Sequence, residues 1–480
     1  MESKVCMIGA CTLFAFAQVS VAKENPNVIL IMADDLGWGD VGFNGNKIIK
    51  TPSLDQLASK GVVFDRFYSG CSVSSPTRAS VLTGRNPFRT GVFNANNGIL
   101  RPEEVALPEL LRAAGYATGH FGKWHLGTLT YTERDANLAS PQNKHYYNPP
   151  AEHGYDDSFV TESKVPTYDP MKQPLQSNGR FWNFLSLGDS SKVYGTSYWL
   201  HNGQKATENL DGDDSRVIMD RVLPFIDKAI EGEQAFFSVV WFHTPHLPCV
   251  AGPEYAAMYS EYTSDEQNYY GCITAMDDQI GRLIAHLKQK GVYDNTIICF
   301  CSDNGPEVRT PGSAAHLKGK KRDLYEGGIR VPSFVVWGNE IKEAKRVDTP
   351  CYTSDYLPSI ADVLNLPLPK HELDGVSLVD VVANGAKREK PLVFAYLSQA
   401  AIIDGDYKLY YNKGVYEMYN IRKDASEKSN IIADNQERAE QMKQSLHAEL
   451  NSCKASFNGE EYGTESVVRM KQSWHDVFAQ

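Results

Sequence analysis

Cysteine is scarce in this chain, nine residues in 480, and no two of them form a C-x-x-C pair. A disulfide framework and a thiolate zinc site are both excluded by that spacing. There is no basic surplus either. Lys and Arg number 48 against 59 Asp and Glu, a net charge of −11, so bulk charge does not suit a nucleic-acid partner. No run past the N-terminus approaches the ~20 apolar residues of a membrane span, and internal repeats and low-complexity tracts are absent. What remains is a globular composition, 42% hydrophobic and 22% charged, in which any anionic ligand must be held by a local cationic site.

Residues 1–22 read as a secretory leader. Lys4 gives the positive start, residues 5–19 a mostly apolar stretch, and Ser20-Val21-Ala22 a small-residue cleavage site. The expected location is therefore secreted or periplasmic. Ile8-Gly9-Ala10-Cys11 lies too early to serve as a lipoprotein box. Cleavage leaves seven cysteines: Cys71, Cys249, Cys272, Cys299, Cys301, Cys351 and Cys453. Cys299 and Cys301 alternate within an apolar strand and read as packed, reduced thiols.

Three apolar runs end abruptly in polar residues: Asn27–Ala33 before Asp34-Asp35, 235–242 before His243-Thr244-Pro245-His246, and 296–301 before Ser302-Asp303-Asn304. Continuous apolar runs of this length mark buried parallel strands. Helix-like segments at 53–60, 107–114, 214–231 and 268–290 lie between them. This alternation predicts an α/β fold with a large doubly wound sheet flanked by helices. Ligands in such sheets sit beyond the carboxyl ends of the strands, where all three polar clusters fall.

Residues 128–212 are rich in Tyr, Asn, Pro and Gly and read as a loop-rich insertion. Its Tyr146, Tyr147, Tyr155, Tyr168, Trp182, Tyr194, Tyr198 and Trp199 suit either sugar rings or ordinary packing. The expected organisation is a catalytic domain over 23–374 and a smaller α+β subdomain over 375–480. The latter has strands near 392–397, 401–403 and 407–411 and a helix over 435–453.

The most informative segment is Ser72-Val73-Ser74-Ser75-Pro76-Thr77-Arg78-Ala79-Ser80-Val81-Leu82-Thr83-Gly84. Ser74 or Ser75 is placed to cap a helix with Pro76 in its first turn. The helix start is an anion site, and Arg78 lies one turn past Ser74 on the same face. Asp34, Asp35, Asp303 and Asn304 offer hard oxygen donors suited to Ca²⁺ or Mg²⁺ rather than Zn²⁺, although Asp and Asn also form caps and turns routinely. Gly122-Lys123-Trp124-His125-Leu126-Gly127 puts Lys123 and His125 on one side of an extended segment. His316–Gly328 holds a cationic knot of Lys318, Lys320, Lys321 and Arg322.

These motifs resemble those of the type I sulfatases, in the alkaline-phosphatase-like superfamily. The signature core, Cys or Ser, any residue, Pro, any residue, Arg, then an apolar pair, Thr and Gly, is matched by Ser74 through Gly84. In that family the first residue is oxidised to formylglycine by a maturation enzyme. Ser at this position is similar to the serine-type bacterial branch. The resemblance implies Ca²⁺, with Mg²⁺ second, on Asp34, Asp35, Ser74, Asp303 and Asn304. It further implies sulfate contacts from Lys123, His246 and Lys321, with Lys320 the adjacent register and His243 a position behind His246.

The implied route starts from an aldehyde at position 74 hydrated to a gem-diol, with Asp303 as base for one hydroxyl and attack in line on sulfur. Arg78, Lys123 and Lys321 share the sulfate charge, His246 protonates the departing alcohol, and His125 takes the proton that regenerates the aldehyde. The expected substrate is a sulfated glycan. Val165-Pro166-Thr167-Tyr168-Asp169-Pro170 resembles enzymes acting on galactans such as carrageenan, and host glycosaminoglycans stay open. The alternatives are a phosphodiesterase or phosphonate hydrolase of the same superfamily, and a non-catalytic sulfated-glycan binder.

Overall fold

The computed structural model describes residues 25–176, 185–186 and 192–462. The leader and Trp182 lie outside the described residues. Nine strands build the main sheet: β1 (Asn27–Ala33), β2 (Val62–Phe64), β3 (Ala117–Lys123), β4 (Asp157–Thr161), β5 (Tyr198–Leu200), β6 (Phe236–Trp241), β7 (Thr296–Ser302), β8 (Phe334–Val336) and β9 (Lys345–Val347). Their order is β9-β2-β8-β7-β1-β6-β3-β4-β5. The middle five, β7 to β4, are parallel, and antiparallel β8 and β5 flank them.

The apolar runs become strands because both of their faces are covered. Ile29, Ile31 and Ala33 of β1 join one core with α1 (Pro52–Ala58), α4 (Asp214–Glu231) and α5 (Ser264–Gln289). Val28, Leu30 and Met32 join the other core with α2 (Ser74–Thr83) and α3 (Leu107–Ala113). Each such fully buried aliphatic side chain contributes on the order of 1.5–3 kcal/mol. Among the described residues all seven cysteines are buried and outside any disulfide, as thiols packed for their apolar surface.

A second sheet is an antiparallel meander of β10 (Leu392–Tyr396), β11 (Gln399–Asp404), β12 (Tyr407–Asn412) and β13 (Val415–Asn420). One face, with Ile402, Leu409 and Met418, packs on Leu446 and Leu450 of α6 (Gln436–Phe457). The other, with Ile403, Tyr410 and Tyr419, packs on Cys71 and Val73. The second sheet thus braces the segment that leads into α2.

Several details differ from expectation. Helix α5 starts at Ser264, not 268, because Thr263 and Glu266 form a reciprocal capping box. The stretch 128–212 is not loop throughout, since it supplies β4 and β5. Within it Tyr155, Tyr198 and Trp199 are buried and serve packing, not an exposed sugar platform. Leu378 and Val381 also pack into the core beneath α2 and α3.

Candidate active site

Strand register assembles the acidic cluster. Ala33 of β1 pairs with Ser302 of β7, so the two chains leave the sheet side by side, carrying Asp34-Asp35 and Asp303-Asn304. The backbone N–H of Asp35 donates to Asp303 Oδ1 (3.0 Å), and Asn304 Nδ2 donates to Asp35 Oδ1 (2.7 Å). Asp35 holds a left-handed φ of 68°, strain of the kind that persists where surrounding contacts over-determine the backbone.

Helix α2 delivers Ser74 to this edge. Val73 is extended, the helix starts at Ser74, and Gly84 ends it in the left-handed conformation. Neither serine caps the helix, contrary to expectation. Ser74 Oγ donates instead to Asp34 Oδ1 (3.1 Å), while Ser75 Oγ is buried without a partner. Lys123, the last residue of β3, donates from Nζ to Asp34 Oδ2 at 2.6 Å and lies 3.4 Å from Ser74 Oγ. Arg78 is fully buried behind Ser74. Its Nη2 donates to Asp303 Oδ2 (2.9 Å), and its guanidinium lies over the Trp241 ring, 5.0 Å from the centroid.

Lys321, not Lys320, enters the cluster. Its Nζ donates to both carboxylate oxygens of Asp35 (2.6 and 2.8 Å), whereas Lys320 donates to the Gly312 carbonyl. His246 Nε2 stands 3.7 Å from Asp35 Oδ2. His243 faces away, held between Asp214 (2.8 Å) and Thr161 (2.7 Å). His125 is not extended as expected but left-handed, with φ 60°. Its Nε2 pairs with Asn96 Oδ1 at 2.9 Å, and it still lines the same cleft as Lys123.

Three buried carboxylates, Asp34, Asp35 and Asp303, thus meet three buried cations, Arg78, Lys123 and Lys321. Buried charge persists only when paired in this way. Burial pushes Asp34 upward, but Lys123, His246 and Arg78 together hold it well below the usual carboxylate range. Burial raises Asp35 against the pull of Lys321. Burial and then Asp34 push Asp303 up to about 7. His246 is held far below its ordinary value by burial and then Lys321, and His125 likewise by burial and then Lys123. Both shifts favour the neutral imidazole.

Lys123 and Lys321 carry the cluster to the floor of a cleft of about 280 Å³, whose lining also includes Ser74, His125 and His246. Sequence reasoning missed Asn96, Lys164, Glu307 and Arg309 on the same wall, and it named Arg322 only as part of a charge run. They come from loops far apart in sequence, and only the Arg322 loop carries a motif.

A family model described as sulfatase matches residues 26–366. The chain belongs to the sulfatase family. A second model, the C-terminal part of N-sulphoglucosamine sulphohydrolase, matches residues 316–456. This sulfatase is 30% identical to human arylsulfatase A over 83% of this chain and 77% of that protein. It is 28% identical to N-acetylgalactosamine-6-sulfatase of Sus scrofa, over 78% and 69%. The crystal structure of Ps i-CgsB in complex with k-i-k-neocarrahexaose superposes with a TM-score of 0.76 at 29% identity, covering 88% of this chain and 92% of that one. The protein is accordingly a sulfuric ester hydrolase with the mixed α/β fold of its family.

The cluster fits a hard cation. Its donors are carboxylate and amide oxygens, and Asn304 Oδ1 is buried with no hydrogen-bond partner. Asp34, Asp35 and His246 each offer a ligand atom within 4.8 Å of the others. Hard oxygen donors of this kind suit Ca²⁺.

Proposed function

We propose that this sulfatase releases sulfate from a sulfated glycan, with Ser74 as the residue converted to formylglycine and Ca²⁺ held by Asp34, Asp35, Asp303 and Asn304. Ser74 Oγ would complete the ligand set after modification. The observation that carries the reading is the meeting of Ser74 Oγ, Lys123 Nζ and Asp34 within 3.4 Å at the start of α2. Mg²⁺ suits the site less well, because it demands a stricter octahedron.

When bound, the cation supplies Lewis-acid polarisation of a sulfate oxygen, and the hydrated aldehyde supplies the nucleophile. The chain's own residues do the rest. Lys123 and Lys321 bind the non-bridging sulfate oxygens, and the buried Arg78 fixes Asp303 and adds positive potential from behind. In this reading Asp303, held in place by Arg78, accepts the proton of an attacking hydroxyl. His246 faces the leaving alcohol. A bound sulfate supplies the negative charge that raises its imidazole toward a proton donor. His125, neutral and oriented by Asn96, accepts the last proton.

A carrageenan-type galactan is the preferred substrate class, supported by the neocarrahexaose bound to the structural relative. Residues 23–374 form the catalytic unit in this reading and 375–480 the smaller subdomain, whose second sheet is the brace. The leader at 1–22 routes the protein out of the cytoplasm, and a formylglycine-generating enzyme is its maturation partner. Among the described residues no helix is long and apolar enough to cross a membrane. Sulfate release from defined oligosaccharides, measured beside a Ser74→Ala variant, tests the proposal. Glycan desulfation lost in the variant is expected, and equal rates would overturn it.

A further inference from the structure

The cleft carries more positive charge than one sulfate requires. Lys123 and Lys321 sit on the floor, each paired with its aspartate. Above them the wall adds Lys164, Arg309 and Arg322 against a single carboxylate, Glu307. Glu307 accepts from Arg309 Nε (3.1 Å) and Arg322 Nη1 (2.9 Å), so it orients the two guanidiniums without matching the charge of the group. This occurs in a protein whose net charge is −11.

The position of the surplus is informative. Lys164 is buried, 8% exposed. Its ammonium is pulled down to about 7, by burial and then by Lys123, Lys321 and Arg309, with Asp35 acting weakly the other way. The two arginine side chains are 45% exposed and can reach a ligand in the cleft. Planar guanidiniums match carboxylate and sulfate oxygens in a fork.

We infer that Lys164, Arg309 and Arg322 form a subsite for a second anionic substituent on the sugar whose sulfate is removed or on its neighbour. The inference rests on the sulfatase reading of the cleft and narrows its substrate to a doubly anionic saccharide. The second group is a sulfate or a uronate carboxylate, since each presents a pair of anionic oxygens to a guanidinium fork. An anion placed there relieves the repulsion among Lys164, Lys123, Lys321 and Arg309, and the gain appears as tighter binding rather than faster chemistry.

The test uses formylglycine-bearing full-length enzyme and four substrates: an aryl sulfate, a neutral monosulfated disaccharide, its disulfated counterpart, and a monosulfated disaccharide carrying a uronate. Wild type is expected to favour a doubly anionic disaccharide by about tenfold or more in kcat/KM, the scale of one charge-assisted hydrogen bond. Whether the sulfate or the uronate gives the preference identifies the anion. Lys164→Gln and Arg309→Gln should shrink that ratio toward one through KM, with kcat little moved, while Lys164→Arg retains it. Melting curves establish that each variant is folded. Aryl sulfate turnover without any preference, or variants that slow all four substrates equally, would overturn the inference alone. No release even from the aryl sulfate would overturn the formylglycine reading together with it.

Discussion

Arg78 Nη2 lies 2.9 Å from Asp303 Oδ2, and both side chains are wholly buried. The pair joins helix α2 to the end of β7 and so fixes Ser74 relative to the acidic cluster. Asp34 Oδ2, 3.6 Å from the same nitrogen, makes the link three-membered.

Removing one partner of such a pair leaves an uncompensated buried charge. Arg78→Ala is expected to cost about 3–5 kcal/mol of stability, read from urea unfolding. Arg78→Lys should not restore activity, because an ammonium cannot reproduce the fork of the guanidinium. Near-wild-type stability of the alanine variant would refute this placement.

His246 and His243 should separate by leaving group. His246→Gln is expected to slow sugar sulfates by about 10²-fold or more. It should slow an aryl sulfate with an acidic phenol much less, because that group departs unprotonated. His243→Gln should instead lower the melting temperature, since His243 links Asp214 to Thr161. Equal slowing of both substrate types by His246→Gln would remove it from the proton-donor role.

Chelation offers a third check. Dialysis against a strong chelator should lower both turnover and melting temperature, and Ca²⁺ should restore both better than Mg²⁺. At 100 times its dissociation constant a ligand stabilises by about 2.7 kcal/mol. Asn304→Ala, which deletes the orphaned Oδ1, should raise the Ca²⁺ concentration needed. Indifference to the chelator would count against the oxygen site.

Stability should rise as pH falls from 8 toward 6. Burial pushes Asp40, Glu162 and Asp277 up to about 7, above their unfolded values. A carboxyl raised on folding contributes stability that is fully present below its unfolded pKa and is lost as pH rises through the folded one. Melting temperature measured between pH 6 and 8 should therefore decline with pH, and Asp277→Asn should flatten the slope. A melting temperature that climbs with pH would contradict the assignment.

Much of the fold was legible because β1, β6 and β7 are covered on both faces and so appear as continuous apolar runs. Their polar C-terminal neighbours then marked the site edge, and the family resemblance pointed to Lys321 with Lys320 as the adjacent register. Strands β4 and β5 were hidden, being short and set among aromatic and polar residues whose burial depends on tertiary contacts. The first turn of α5 was missed because a capping box is polar and resembles a loop. The cap expected of Ser74 gave way to its bond with Asp34, a contact 40 positions distant in sequence. Lys164 and Arg309 carry no local motif, and only the assembled cleft brings them together.

The most direct test of the central claim is the mass of the Ser74 peptide, measured with sulfate release on the same preparations. Turnover should scale with the fraction of Ser74 that has lost two hydrogens to become the aldehyde. Full turnover from protein carrying only unmodified Ser74 would contradict it.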